Sequence, residues 1–207
     1  MDYRELREEV VEANRRIVEA GLVLLTWGNA SVIDRAREVV GIKPSGVDYD
    51  ALTAETVPIV RLSDSVVLDG AYRQSSDTAT HLELYRRFPS VGAIVHTHSH
   101  YAVCYAQARL PIPCLGTTHA DHFLTEVPIT RELTVEEIAG DYEHNTGRVI
   151  VELFGKQGDG NAYTPEQTPA VLVTQHGPFA WGPDAEKAVE NAIVLEEVAR
   201  MGLHTTA

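Results

Sequence analysis

Positive charge is scarce in this sequence. Lys and Arg together number 17 against 30 Asp and Glu, a formal charge of −13. That balance excludes a surface built for nucleic acid or for an anionic membrane, because binding to such phosphate-rich partners depends on Lys and Arg neutralising them. Lysine itself occurs only at positions 43, 156 and 187, so Lys43, set in a Pro/Gly turn, marks a candidate for a local and specific anion pocket. Cysteine is equally rare. Cys104 and Cys114 have neither disulfide-framework nor zinc-knuckle spacing and read as reduced structural thiols. No apolar run approaches the ~18 residues of a membrane span. The start of the chain, with Asp2, Arg4 and Glu5, has no signal-peptide core, so a cytoplasmic protein is expected.

What is present is ordinary for a globular chain: 44% apolar and 23% charged residues in a length of 207, which predicts one domain over residues 1–207. Leu6, Val10, Ala13, Ile17 and Val18 recur at helical spacing and predict a helix over residues 2–20, ended by Gly21. Short β-rich runs follow at 31–33, 39–42, 59–62 and 66–68, broken by Gly, Pro and Asp. A helix is expected at 78–88, a buried strand at 91–98 and a helix at 101–109. Beyond a middle loop at 111–123, a short strand is expected near Val127 and one helix from about 135 to 154. A surface loop at 155–168 and a strand at 170–174 lead to a closing helix at 183–201, with His204 in a frayed end. Helices at both ends and between the strands predict an α/β fold, a three-layer α/β/α sandwich around a mixed, largely antiparallel sheet.

The chemistry-bearing residues concentrate in a few places. In Val95-His96-Thr97-His98 one residue separates two imidazoles, and alternation along a strand sends both the same way, as ligands of one cation require. His176 follows a second apolar strand that can lie beside the first. Asp77 stands where a loop becomes a helix and suits either a fourth ligand or a helix N-cap, with His81 a weaker competitor. Three histidines and a carboxylate suit zinc, and would accept manganese or cobalt. His100 and His144 read as surface or structural, and His119 and His122 fall in the middle loop. Three turns could supply amides and hydroxyls to a phosphate: Trp27-Gly28-Asn29, Lys43-Pro44-Ser45-Gly46 and Ser75-Ser76. The serines precede a helix, where free amides and the helix dipole favour an anion, and Asp77 follows them directly. A metal and a phosphate would then bind side by side.

Taken in order, Leu25-Thr-Trp-Gly-Asn-Ala-Ser31, Ile42-Lys-Pro-Ser-Gly-Val-Asp48, Ser75-Ser-Asp-Thr-Ala-Thr-His81, Ile94-Val-His-Thr-His-Ser99, Gly116-Thr-Thr-His-Ala-Asp121 and His176-Gly-Pro-Phe-Ala-Trp-Gly182 span nearly the whole chain. Together they resemble the L-ribulose-5-phosphate 4-epimerases of the class II aldolase and adducin superfamily. The resemblance implies one divalent metal per subunit, held by Asp77, His96, His98 and His176. It implies substrate and phosphate contacts at Gly28, Asn29, Ser45, Gly46, Ser75 and Ser76, to which Lys43 is added from its place in the sequence. It makes Asp121 a catalytic acid/base. The implied reaction interconverts L-ribulose 5-phosphate and D-xylulose 5-phosphate, as in arabinose catabolism, by cleaving and remaking a carbon-carbon bond. The implied assembly is a homotetramer with active sites at subunit interfaces. A sibling aldolase that releases its aldehyde carries Glu where this sequence has Asp77, and an adducin-like, non-enzymatic interaction module would need none of these residues. The family pattern also has a tail beyond the last helix with a tyrosine as second acid/base. No tyrosine follows Tyr163, so that tail is expected to be missing here.

Overall fold

The computed structural model describes residues 2–155 and 163–206. Lys156 and most of the first half of the loop expected at 155–168 lie outside them. The elements in chain order are α1 (Arg4–Glu19), β1 (Asn29–Asp34), β2 (Val39–Ile42), β3 (Ile59–Arg61), β4 (Val67–Asp69), α2 (Thr78–Arg87), β5 (Ala93–His96) and α3 (His100–Ala108). There follow α4 (Thr117–Ala120), α5 (Val135–Ala139), α6 (Tyr142–Gly155), β6 (Ala170–Leu172), β7 (Pro178–Gly182) and α7 (Ala185–Thr206).

The strands form one seven-stranded sheet in the order β4-β3-β2-β1-β5-β7-β6. Every ladder is antiparallel, and the parallel component expected from sequence is confined to an isolated bridge between Ile129 and Leu172. Alternation along each strand sorts the side chains into two cores. Val32, Val39, Ala93, Val95 and Ala180 face a layer containing Leu6, Val10 and Ile17 of α1, Ala102 of α3 and Leu195 of α7. Ile33, Val40, Ile94, Phe179 and Trp181 face Leu82, Leu84 and Tyr85 of α2 and Ile150 and Phe154 of α6. The result is the expected three-layer sandwich. Burying a Leu, Ile or Phe side chain contributes about 1.5–3 kcal/mol, so these two faces supply the main stabilisation.

Polar contacts then place the central strands. Asn14, buried on α1, donates through Nδ2 to the carbonyls of Val10 (2.8 Å) and Ala30 (3.1 Å), while its Oδ1 accepts from the Ala30 amide at 2.9 Å. This fixes the first residues of β1 against α1, beside β5. The ladder pairs Asn29 with His96, and β7 pairs Phe179 with His96 on the other side.

Three local expectations are corrected. The middle loop contains the short helix α4, and Val127 forms only a bridge with Ile112. The helix expected from 135 to 154 is two helices, because Gly140 interrupts it and the Asp141 carboxylate accepts from the His144 amide at 3.4 Å, where α6 begins. The closing helix does not end at Met201 but continues to Thr206, so His204 is helical. Gly202 lies inside that helix because the Tyr105 hydroxyl occupies the space a Cβ would take, at 2.6 Å.

Candidate metal centre

His96 ends β5 and is buried to 1% exposure. Its Nδ1 faces the Pro178 carbonyl at 2.9 Å, which requires a proton on Nδ1 and leaves the Nε2 lone pair free. The Phe179 ring stacks on it at 4.2 Å between centroids, holding its rotamer. His98 lies two residues beyond, and its Nε2 stands 3.2 Å from His96 Nε2. Two nitrogens on one zinc at about 2.0–2.1 Å, with a tetrahedral angle, would stand about 3.3 Å apart, so the pair fits a shared cation. His176 comes from the tight turn between β6 and β7. Ligand atoms of His96, His98 and His176 all lie within 4.8 Å of one another.

Two glycines make this convergence possible. Gly28 has φ +81°, and a Cβ there would stand 2.8 Å from the His96 carbonyl oxygen. Gly177 lets the His176 turn press on the same segment from the other side, where a Cβ would stand 2.8 Å from the Thr97 carbonyl oxygen. Only residues without side chains allow both turns to lie against 96–98.

Asp77 occupies the N-cap position of α2 but makes no capping hydrogen bond; its backbone has φ −70°, ψ −1° rather than the extended geometry of a capping residue. Its Oδ2 instead accepts from Asn29 Nδ2 at 2.7 Å and, more weakly, from Ser75 Oγ at 3.4 Å. It is therefore not spent on capping. It is not among the ligand atoms that converge within 4.8 Å. Burial pushes the Asp77 carboxyl up, but His96, His81, the Asn29 amide and His176 together hold it below the usual carboxylate range. Burial pushes His176 down to about 3, with His96 and His98 adding to the effect and Asp77 opposing it. His98, partly desolvated at the cleft mouth, is lowered in the same direction. Neutral imidazoles beside an ionised carboxylate are the protonation states that divalent-metal binding needs.

His81 is not among the converging ligand atoms. It is fully buried, its Nδ1 bonds the Ser31 hydroxyl at 2.7 Å, and Ser31 also bonds the Tyr85 hydroxyl at 2.8 Å. Of the other histidines, His119 is buried with Nε2 on the Thr125 carbonyl at 2.7 Å, while His100 is exposed.

A cleft of about 550 Å³ opens in front of the histidines. His98, His176 and Asp77 line it together with Gly28, Asn29, Lys43, Ser45, Gly46, Ser75 and Ser76, so the three turns singled out in the sequence meet in one cavity. They meet because the bridge between Pro44 and Gln74 and the Ser45 amide on the Arg73 carbonyl (2.9 Å) stitch two of them together. Lys43 is buried to 2% exposure, and burial lowers its ammonium pKa, with Asp48 opposing. Asp121 is not brought to this cleft. It ends α4, is exposed, and does not line the cavity.

Two lining residues had no signal in the motifs, Tyr142 and Glu143. The Tyr142 hydroxyl stands 3.0 Å from His176 Nδ1 and orients that ring, as outer partners of metal-binding histidines commonly do. Reading Gly140-Asp141 as a helix start would have placed Tyr142 at an element terminus, but its target lies 34 residues away.

Solved structures share this arrangement of elements. One, named L-fuculose 1-phosphate aldolase, is 24% identical, with 100% of this chain and 88% of that one covered and a TM-score of 0.82. An L-fuculose-1-phosphate aldolase from Thermus thermophilus is 25% identical over 98% of this chain and 95% of that one, with a TM-score of 0.73. A sugar-phosphate aldolase from Thermotoga maritima is 18% identical over 98% and 96%, also with a TM-score of 0.73. The family described as the Class II Aldolase and Adducin N-terminal domain matches residues 8–203, nearly the whole fold and every residue of the cleft, and this chain belongs to it.

Proposed function

We propose that the chain is a divalent-metal enzyme that epimerises a phosphorylated ketose, interconverting L-ribulose 5-phosphate and D-xylulose 5-phosphate. The observation that carries this is the convergence of His96, His98 and His176 beside a cleft lined by Lys43, Ser45, Gly46, Ser75 and Ser76 together with His98 and His176. An alcohol carbon without an acidic hydrogen is not inverted by deprotonation. A carbonyl two carbons away allows the bond between the third and fourth carbons to be cleaved and remade on the other face.

His96, His98 and His176, with Asp77 as the fourth ligand, would hold the cation, most simply zinc, with manganese or cobalt as substitutes. A cation there supplies Lewis-acid polarisation of the keto oxygen, a contribution of several kcal/mol. Lys43 and the serine and glycine turns hold the phosphate while the aldehyde fragment rotates. Asn29 positions Asp77 and faces the same cleft. Asp121 exchanges the proton on one face of that aldehyde. Because Asp121 is exposed and does not line its own cleft, this role requires a second copy of the chain to bring the partner subunit's Asp121 to each site, as the homotetramer implied by the resemblance would.

The second reading is an aldolase on the same scaffold, favoured by the names of the Thermus thermophilus and Thermotoga maritima proteins. Against it, Asp77 is short and pinned by Asn29 at 2.7 Å, which suits a fixed ligand better than a carboxylate that must swing and act as base. The two separate in one experiment. Zinc-loaded protein is given L-ribulose 5-phosphate and followed by NMR. Conversion to D-xylulose 5-phosphate without free glycolaldehyde phosphate is expected, and His98→Ala should lose metal and turnover together. Accumulation of the aldehyde would select the aldolase, and no reaction with either pentulose phosphate would end the epimerase assignment.

A further inference from the structure

Lys43 is an unusual lysine, buried to 2% exposure although it lines the cleft. Its Nζ reaches the Pro44 carbonyl at 3.5 Å, and among the described residues no carboxylate comes within ion-pair distance, Asp48 acting on its charge only from farther away. What it does have is an aromatic face. The ammonium sits 4.6 Å from the centroid of the Tyr49 ring, inside the range of a cation–π contact. That ring is itself tied down, because the Tyr49 hydroxyl donates to the Trp27 and Gly28 carbonyls at 3.1 and 3.0 Å. Trp27 and Gly28 form the turn that presses on His96.

We propose that Tyr49 is a positioning residue for the anion end of the cleft: its ring, in place of a carboxylate, holds the Lys43 ammonium where an incoming phosphate meets it. The physical reason is the choice of partner. A carboxylate beside Lys43 would neutralise it and repel a phosphate. A ring face attracts the cation through its quadrupole while adding no net negative charge, so the full charge stays available to an anionic ligand. Hydrogen bonds to the two carbonyls fix where the ring lies, and they connect the lysine's support to the turn beside the histidines.

The inference rests on the anion end of the function proposed above, and its test needs no turnover. Inorganic phosphate is titrated by calorimetry into the wild-type protein, Tyr49→Phe, Tyr49→Leu, Lys43→Met and the double variant Lys43→Met/Tyr49→Leu. Tyr49→Phe keeps the ring face but loses the hydroxyl's hold on it, and should bind phosphate more weakly than wild type and more tightly than Tyr49→Leu. Tyr49→Leu should bind at least about tenfold more weakly, and the double variant no more weakly than Lys43→Met alone, the non-additivity expected of two residues acting as one unit. Tyr49→Met, which keeps more volume, replaces the leucine variant if that fails to fold. Wild-type affinity in Tyr49→Leu, or equal losses in the Phe and Leu variants, would overturn the inference and leave the anion site standing. Absence of phosphate binding by the wild-type protein would overturn the anion site itself.

Discussion

Asn29→Ala tests the construction of the metal centre most directly. Asn29 is 3% exposed at the start of β1, and its backbone is held by the ladder to His96, so truncation should leave the strand in place. The lost group is the Nδ2 that donates to Asp77 Oδ2 at 2.7 Å and to Ser75 Oγ at 3.2 Å. A hydrogen bond to a charged acceptor contributes about 1.5–3 kcal/mol. What remains for Oδ2 is the longer contact from Ser75 at 3.4 Å. Removing an outer partner of a metal ligand lowers metal affinity by about 10–100-fold, which at about 1.4 kcal/mol per tenfold agrees with the hydrogen-bond figure. Stability should fall little beyond that, because Asn29 Oδ1 has no partner among the described residues to lose. The assay is competition for zinc against a chromophoric chelator, with thermal melting of the metal-free protein as the control. Zinc affinity within twofold of wild type in a folded Asn29→Ala protein would refute the claim that this amide sets Asp77 up as a ligand.

Three further expectations follow from the same geometry. Asp121→Asn should keep zinc binding and thermal stability, since the residue is exposed and outside its own cleft, while removing most epimerisation; unchanged turnover would sink its role as acid/base. Gly28→Ala must hold a side chain at φ +81° and place a Cβ 2.8 Å from the His96 carbonyl oxygen. A strained backbone position costs about 1–3 kcal/mol, and a melting temperature equal to wild type would contradict the close approach. His81 is fully buried and pushed down to about 3 by that burial, with Asp77 opposing. Folded protein therefore keeps the ring neutral where the unfolded chain takes up a proton, so stability rises with pH between about 3 and the ordinary histidine value of about 6.5 and is lost as pH falls through that window. His81→Gln should flatten that dependence in urea unfolding, leaving the share due to His176, His98 and His119, and an unchanged slope would show that His81 is not held neutral.

Much of the architecture was legible in the sequence because it is encoded locally. The spacing of Leu6, Val10, Ala13 and Ile17 gave α1, and the apolar run leading to Val95 gave β5. The boundary between α5 and α6 was missed because apolar periodicity runs across Gly140, and β7 was missed because its five residues read as part of a motif following His176. By itself the sequence determined that two imidazoles one residue apart would meet, and that the glycine and serine turns were candidates for an anion. Only the tertiary structure decided the rest. That Asp77 bonds Asn29 rather than capping α2, that Tyr142 touches His176, that Tyr49 lies under Lys43 and that Asp121 stays outside its own cleft all depend on where the sheet register and the packed turns bring the side chains. Asp77 and Asn29 are 48 residues apart and Tyr142 and His176 are 34 apart, separations over which no local periodicity carries information.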